Sequence, residues 1–247
     1  LGMLLAVPTG WWLANRSMKP IREAFDRQRA FVADASHELR TPLTLIRAEA
    51  EYQDRSPDLS QAELHESRAT IIREVDSMAG LVSSLLQLAR MDESAARLVG
   101  QHIDLEAVAA EAVERFQSLA AERGIALGFD TSSPATALGD RAATDQVVSI
   151  LLDNAFAYTP AGGKITLRSG MQAGKATLAV TDTGIGISPS DQQRIFDRFY
   201  RGDPARSRSS GGAGLGLSIA TELMAAQHGR ITVESEPGAG AAFNLHL

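Results

Sequence analysis

Cysteine is absent from the 247 residues, and positive charge is in the minority. Without cysteine the chain can form no disulfide, no thiolate zinc site and no cysteine nucleophile, and its redox compartment is left open. The 24 Lys and Arg against 30 Asp and Glu give a net charge of −6, which offers no basic surface and predicts no nucleic-acid partner. The 44% hydrophobic and 22% charged residues exclude collagen-like and wholly disordered chains. We therefore expect one or two globular domains, each with a real core.

The N-terminal residues 1–14 carry no charge and include Trp11 and Trp12, and Arg16 and Lys19 follow them. An apolar stretch, interfacial tryptophans and then positive charges are typical of the cytoplasmic end of a transmembrane helix. Because a bilayer core needs about 20 residues, we expect residues 1–18 to be the end of a longer span with its juxtamembrane segment. This places the protein in the cell membrane, with the residues after about 16 in the cytoplasm. The alternative is the core of a signal peptide, whose basic residues would lie on the other side.

Residues 19–92 show two helical patterns joined by a predicted turn at 55–58. The first has apolar residues every seven positions and a second seam between them: Phe25, Val32, Leu39 and Ile46, with Ala35 and Pro42. Pro42 is expected to bend this helix locally. The second helix repeats with three/four spacing at Leu64, Ile71, Val75, Met78, Val82, Leu85 and Ala89. Such an antiparallel hairpin leaves an apolar seam exposed, so we predict a homodimer with a four-helix bundle. The alternative is a hairpin packed against its own chain's second domain.

The periodicity lapses over residues 93–102, which we interpret as a linker, and the rest of the chain mixes helix and strand patterns. Helices are predicted over 105–123, 140–158, 190–199 and 215–228, and strands over 125–129, 164–169, 176–181, 231–235 and 241–246. This order predicts an α+β sandwich, with helices on one face of a mixed sheet. The stretch 201–214 is rich in Gly, Ser and Arg, has no apolar period, and has the composition of a mobile lid.

His37 falls at an f position of the first helix if Val32 is an a position, so it is expected to face solvent. An exposed imidazole beside the carboxylate of Glu38 suits a nucleophile whose ring proton is taken up or oriented by its neighbour. Thr41 lies one turn further along the same face. A lone His–Glu pair is not specific, and an ordinary surface histidine fits the same pattern.

Asn154 lies in line with the apolar positions Val147 and Leu151 and with Tyr158 on one predicted helix. A buried amide costs about 1–3 kcal/mol unless it finds hydrogen-bond partners. A ligand or metal ion could supply them, and so could nearby backbone groups. The sequence leaves both alternatives open.

Two glycine clusters are placed where backbone could approach an anion. The sequence DTGIGI begins at Asp182 after a predicted strand, and GGAGLGL at 211–217 opens a helix. Glycines let N–H groups come close to an anion, and a helix N-terminus adds its dipole. The second cluster is neither a P-loop nor a Rossmann turn. Asp182 could accept a hydrogen bond from an exocyclic amine such as that of adenine, or it could only cap a turn.

Five motifs in this order and spacing make the chain resemble the sensor histidine kinases of two-component systems. ASHELRTPL resembles the phosphoacceptor box, LLDNAFAYTP the N box, DTGIGI the first glycine box, IFDRFYR the F box and GGAGLGL the second glycine box. The resemblance implies a dimerisation and phosphotransfer hairpin at about 19–92. It also implies a Bergerat-type ATP-binding domain at about 103–247.

The resemblance assigns a role to each motif residue. His37 becomes the phosphoacceptor, Glu38 its base, and Thr41 the residue that supports dephosphorylation of the partner. Asn154 becomes a ligand of Mg²⁺ and Asp182 the residue that reads adenine. The expected ATP contacts are completed by Tyr158, Gly184, Gly186, Gly212, Gly214, Leu215 and Gly216, with the lid arginines Arg206 and Arg208. The implied activity is autophosphorylation of His37 from Mg-ATP, followed by transfer to an aspartate in the receiver domain of a response regulator.

Two departures from the family pattern bear on that activity. The N box usually has an Asn four residues before Asn154 and a Lys before Tyr158, where this chain has Ile150 and Ala157. Both changes remove phosphate contacts, so binding is expected to depend more on the lid arginines. They also motivate an alternative, a catalytically weak dimeric sensor that only binds its partner. In the chaperone and topoisomerase relatives a Glu occupies position 150 and activates water, so Ile150 disfavours ATP hydrolysis as the main task.

Overall fold

The computed structural model of the chain describes residues 2–56, 58–94, 100–131, 134–172, 174–202 and 214–247. The chain divides into two compact units, with the boundary between Met78 and Ala79. Within the described residues no helix is both long and apolar enough to cross a bilayer.

The first unit is built on helix α1 (Gly2–Arg55) and the first half of helix α2 (Gln61–Ser94). The helix α1 continues through the buried Pro42 without a break, and the predicted local bend stays a prediction. A capping box starts α2, because the Ser60 amide donates to the Glu63 carboxylate over 2.8 Å and the Glu63 amide donates back to the Ser60 hydroxyl over 3.3 Å. The predicted antiparallel hairpin is therefore present.

A polar contact joins the two helices near their turn. The hydroxyl of Ser67 on α2 is buried and donates to Oε2 of Glu49 on α1 over 2.7 Å. It also accepts from Nε2 of Gln53 over 2.8 Å. Both bonds cross from one helix to the other, so they fix the register of the hairpin at this level.

Burial divides the apolar side chains predicted along α2 into a half-buried set and an exposed stripe. Leu64, Ile71 and Met78 are half-buried in the chain, whereas Val75 is 50% exposed and Val82 is 44% exposed. Ile72 and Leu86, at 60% and 53% exposure, belong with the exposed pair. On α1, Ala35 and Pro42 are buried while Val32 remains 56% exposed. The predicted seam side chains Phe25 and Ala89 lie outside the side chains that the structure describes.

The second unit contains a five-stranded mixed sheet with strand order β2-β4-β5-β7-β6. The strands are β2 (Ala126–Thr131), β4 (Lys164–Gln172), β5 (Lys175–Asp182), β6 (Arg230–Glu236) and β7 (Gly240–His246). The pair β2–β4 is parallel and the other pairs are antiparallel. Helices α3 (Leu105–Arg123), α4 (Arg141–Tyr158) and α6 (Gly216–Ala226) cover one face of the sheet. This is the predicted sandwich.

The core lies between these helices and the alternate strand residues that point toward them. Its fully buried side chains include Leu151, Leu167, Leu178, Phe243, Leu245 and Met224. The cap predicted for α4 is confirmed, since Oδ1 of Asp140 accepts from the Ala143 amide over 2.9 Å. α3 has the predicted bounds and begins with an equivalent cap, Asp104.

Two predicted segments differ from the structure. Strand β1 (Gln101–Asp104) begins inside the segment interpreted as a linker and pairs with β3 (Thr136–Gly139) in a separate two-stranded sheet. The helix predicted over 190–199 is only the short α5 (Pro189–Gln192), and turns follow it. There Asp191 bonds the hydroxyl of Tyr200, so a side-chain contact closes this segment where a longer helix was expected. Residues 95–99 of the predicted linker lie outside the described part of the chain.

Candidate active site

The phosphoacceptor motif lies on an open face of α1. The side chains of His37 and Thr41 are exposed one turn apart, and Glu38 is half-buried. Among the described residues no hydrogen bond joins the His37 ring to Glu38, because neighbouring residues of a helix point about 100° apart. The structure thus agrees with the predicted exposure of His37, and the roles of the three residues stay predictions.

The other motifs surround one cavity of about 530 Å³ in the second unit. Asn154 and Tyr158 of α4, Asp182 at the end of β5, Gly186 in the following loop, and Gly214, Leu215 and Gly216 at the start of α6 all line it. The fold therefore brings together residues that lie up to 62 positions apart in the sequence, from Asn154 to Gly216. Asn154 is half-buried on this wall, and no backbone partner for its amide is found among the described residues.

Asp182 is buried, with only 6% of its surface exposed. One carboxylate oxygen, Oδ1, accepts from the Gly184 amide over 2.8 Å. Asp182 therefore caps the turn, which was the alternative to a ligand contact. A carboxylate has further acceptor positions, and the residue also faces the cavity. Burial raises the pKa of Asp182, and the amides of Gly184 and Ala241 oppose that rise.

The glycines of the first cluster are needed because the backbone is crowded there. A β-carbon on Gly184 would come within 2.5 Å of the Tyr158 carbonyl oxygen. Gly186 has φ +69°, and a β-carbon there would be 2.0 Å from the carbonyl oxygen of Glu236. The loop therefore accepts no side chain at either position and keeps its backbone against the cavity.

The second cluster presents the start of α6 to the same cavity. Gly214 has φ +68°, and its carbonyl accepts from the Phe199 amide over 2.9 Å. Leu215 at the N-cap is buried and makes no side-chain cap, so the first amides of α6 are left for another acceptor. Free amides and the helix dipole at such a terminus favour an anion.

Two polar residues on the cavity wall were not predicted as site residues. Nε of Arg201 is buried and has no hydrogen-bond partner in the described part of the chain. The carboxylate of Asp153 also lines the cavity, where desolvation raises its pKa against the charge of Arg123. Arg201 is the last residue of the F-box sequence, and Asp153 directly precedes Asn154. These positions next to the motifs were the only features of the sequence that could have indicated a place in the site. The predicted contacts Arg206, Arg208 and Gly212 lie outside the described residues.

The cavity fits a nucleotide better than an isolated metal ion. It offers a buried acceptor, a glycine-lined backbone and a guanidinium whose Nε has no partner among the described residues. In the described ranges no group of three His, Cys, Asp or Glu side chains could hold a metal. Asn154 could supply one oxygen to Mg²⁺, which commonly takes its other ligands from phosphates and water.

Two family models match successive parts of the chain. Residues 27–94 match the "His Kinase A (phospho-acceptor) domain", and residues 139–247 match the "Histidine kinase-, DNA gyrase B-, and HSP90-like ATPase". The sensor protein CiaH of Streptococcus pneumoniae is 35% identical over 248 aligned positions, which cover 99% of this chain and 54% of that protein. The chain belongs to the sensor histidine kinases. It spans about half the length of the relative that it matches.

Solved structures share the fold. The histidine kinase ShkA, crystallised full-length with AMPPNP, matches with a TM-score of 0.62 and 27% identity over 83% of this chain and 45% of that one. The histidine kinase ThkA, in complex with the response regulator protein TrrA, has a TM-score of 0.72 over 95% of this chain and 65% of that one. Its 22% identity supports a shared fold only.

The structure shows where the two departures from the family pattern, Ile150 and Ala157, lie. Ile150 and Ala157 both line the cavity, on the same helix as Asn154 and Tyr158. Where other members place an amide and an ammonium group, this chain has apolar side chains. The same helix still presents the polar side chains of Asp153, Asn154 and Tyr158 to the cavity.

Proposed function

We propose that this chain is the kinase part of a sensor that phosphorylates itself on His37 from Mg-ATP and passes the phosphoryl group to a response regulator. In the first step a ring nitrogen of His37 attacks the γ-phosphorus, an N–P bond forms, the bond to the bridging oxygen breaks, and ADP leaves. Glu38 takes up the ring proton. In the second step the phosphoryl group moves from His37 to an aspartate of the receiver domain, and the histidine is regenerated.

The observation that carries this proposal is the buried Asp182 carboxylate beside a glycine-lined backbone in the cavity. An anionic acceptor selects a ligand with a donor, such as the adenine amine, and the amides at the start of α6 select the phosphates at its other end. The complex of ShkA with AMPPNP supports an ATP-shaped ligand. Mg²⁺, held by Asn154, would neutralise charge on the phosphates.

The exposed position of His37 supports its role as the acceptor. Its ring is open to solvent on α1, so both a nucleotide and a receiver domain can reach it. Phosphoryl transfer depends mainly on positioning and charge neutralisation, and the cavity offers groups for both. Because no Glu stands at Ile150 to activate water, the phosphoryl group is directed to His37 instead of to hydrolysis.

A second candidate, a weakly catalytic sensor that binds its regulator, is favoured by Ile150 and Ala157. Both positions lack the polar groups that other members direct at phosphates. The two candidates predict different labelling. A kinase acquires phosphate on His37 from ATP, and the scaffold acquires none.

The test is incubation of the purified chain with labelled ATP and Mg²⁺. We expect label that is lost in acid and kept in base, which is characteristic of a phosphohistidine. His37→Gln should bind ATP and take no label. His65→Gln, at another exposed histidine on the hairpin, is the matched control and should be labelled normally. Absence of label from the wild type would favour the scaffold, and label on His37→Gln would show that another residue is the acceptor.

We also propose that the chain acts as a membrane-attached homodimer. The uncharged residues 1–14 with Trp11 and Trp12 support attachment to a membrane. Detergent-free fractionation of cells that produce the full-length protein tests this attachment.

The exposed stripe on α2, formed by Ile72, Val75, Val82 and Leu86, supports a homodimer. It is an apolar face on a long helix, and a four-helix bundle with a second copy would cover it.

A further inference from the structure

Arg201 lines the same cavity as the first residues of α6. The segment just before it is fastened there, because the Phe199 amide donates to the Gly214 carbonyl over 2.9 Å. The Tyr200 carbonyl oxygen is also 2.9 Å from where a β-carbon on Gly214 would stand. Gly214 comes two residues before the first residue of α6. The backbone that carries Arg201 is therefore held beside this helix terminus, Arg201 lines the same cavity as Gly214 and Gly216, and its Nε is buried with no partner within the described residues.

Tyr200, the residue before Arg201, is held on two sides. Its hydroxyl donates to Oδ1 of Asp191 over 2.7 Å. The guanidinium of Arg194 lies over its ring, 4.4 Å from the centroid, which adds a cation–π contact. Asp191 is itself fixed in the first turn of α5, where its amide donates to the Ser188 hydroxyl over 3.2 Å. The backbone at 200 is therefore attached to α5 by a side chain, in addition to its contact with 214.

The Asp191–Tyr200 bond persists at physiological pH. The hydroxyl of Tyr200, followed by that of Ser188, lowers the pKa of Asp191, and the same bond raises the pKa of Tyr200. Asp191 is therefore ionised and Tyr200 protonated from mildly acidic to mildly basic solution. A hydrogen bond to an ionised acceptor is stronger than a neutral one, so this contact is suited to hold a neighbouring group in place.

We infer that Asp191 and Tyr200 are positioning residues that hold Arg201 toward the phosphates of the nucleotide. The inference rests on the proposed function, because it assumes that ATP occupies the cavity. It adds a source of phosphate binding that depends on a tyrosine–carboxylate bond outside the glycine boxes. This matters in a chain that has Ile150 and Ala157 where polar phosphate contacts are usual.

The test compares a ligand with phosphates and one without. Calorimetry gives the dissociation constant of ATP, and competition against ATP gives that of adenosine. Tyr200→Phe removes only the hydroxyl and keeps the ring over which Arg194 stacks. We expect ATP to bind about three- to tenfold more weakly, as for loss of one modest interaction, and adenosine to bind as before. Asp191→Ala should have the same effect, and the double variant no more than either single one.

A double-mutant cycle shows whether the effect passes through Arg201. Arg201→Ala should weaken ATP about ten- to a hundredfold, and adding Tyr200→Phe to it should cause no further loss. Tyr52→Phe, at an exposed tyrosine on α1, is the matched control and should bind both ligands normally.

Three results would overturn the inference. The first is an equal loss of adenosine and ATP binding in Tyr200→Phe, which is the result for a residue that only supports the fold. The second is a Tyr200→Phe effect of the same size with and without Arg201. The third is normal ATP binding in Tyr200→Phe when Arg201→Ala is impaired, which would leave the proposed function intact. If the wild type bound adenosine and ATP equally well, the proposed phosphate site itself would be wrong.

Discussion

The Cγ2 atom of Ile150 lies 3.2 Å from where a β-carbon on Gly216 would stand. The apolar side chain of α4 thus packs against the first residue of α6, whose amides are offered to the phosphates. Ile150 also lines the cavity, at the position where the family pattern has an Asn. Gly216 has no side chain to obstruct it, and a larger residue at 216 would require Ile150 to move.

Ile150→Asn should therefore strengthen the binding of Mg-ATP. One added hydrogen bond to a charged acceptor corresponds to about tenfold in the dissociation constant. The free energy of unfolding should fall by about 1 kcal/mol, because half-buried apolar contacts are lost. Calorimetry and thermal unfolding measure the two effects. Ile150→Val is the control and should leave ATP affinity unchanged, and weaker binding in Ile150→Asn would show that Ile150 itself supports the nucleotide.

Asp182→Asn separates nucleotide binding from folding. We expect ATP to bind about ten- to a hundredfold more weakly, since a bond to a charged acceptor contributes about 1.5–3 kcal/mol. Asp130→Asn, in an exposed ion pair with Arg168, is the matched control and should bind ATP normally. An unchanged dissociation constant in Asp182→Asn would reduce Asp182 to a turn cap.

The same variant has a defined pH dependence. Because the pKa of Asp182 is raised in the folded protein, its ionisation opposes folding as the pH rises from the unfolded value, about 3.9, through the folded value. At neutral pH the Asn variant should unfold at a temperature no lower than the wild type. As the pH falls through the folded-state pKa, the wild type should gain stability relative to the variant. A stability difference that is independent of pH would contradict the buried carboxylate.

The elements that depend on local signals were predicted well from the sequence. The cap predicted for α4, Asp140, bonds as expected, and α3 has the predicted bounds and begins at Asp104, a cap of the same kind. Strands β1 and β3 were missed because each has four residues, and Gln101–Asp104 contains one buried apolar side chain, Ile103. Their pairing is a contact between distant segments, for which the periodicity of a single segment carries no signal.

The side chains that support the site were harder to predict than the motif residues. Glycine clusters are visible because few other residues suit such backbones, but Asp191 and Arg201 are ordinary charged residues by composition. Only the folded chain shows that Asp191 bonds Tyr200 and that Nε of Arg201 is buried. For the same reason the sequence did not show which apolar side chains of α2 stay exposed in the single chain. The spacing of apolar residues predicts which face of the helix is apolar. Only the exposures in the structure show which side chains on that face are buried by the rest of the chain.

Val75→Glu tests the exposed stripe of α2. If a second copy covers Val75, a carboxylate there is buried without a partner, which costs several kcal/mol and on the order of a hundredfold or more in dimer affinity. Sedimentation at micromolar concentration should show a monomer, with the helical circular dichroism retained. Arg73→Glu lies on the opposite side of the same helix and should remain dimeric. A dimeric Val75→Glu variant would favour the alternative, a hairpin whose stripe is covered by the chain itself.

Thr41→Ala tests whether dephosphorylation of the regulator depends on a side chain that autophosphorylation of His37 does not need. The Thr41 hydroxyl is exposed one turn from His37, where it can position water against a phospho-aspartate docked over the histidine. Labelling of His37 should be near normal, and dephosphorylation of the regulator should slow at least several-fold, as for loss of a positioning hydroxyl. Thr44→Ala, whose hydroxyl donates to the Arg40 carbonyl over 2.8 Å, is the control. Equal loss of both rates would instead indicate a distorted helix beside Pro42.

The continuity of α1 makes the histidine subject to rotation from a distance. A helix turns by about 100° and advances about 1.5 Å per residue, so Met18 and His37 are about 28 Å apart along an unbroken axis. A twist applied at Met18 reaches His37 as a twist of the same sense. One residue added between them would turn the His37 face by about 100°, while seven would return it to within about 20° of its starting direction. The number of residues between Met18 and His37 therefore sets the direction in which His37 points around the helix axis.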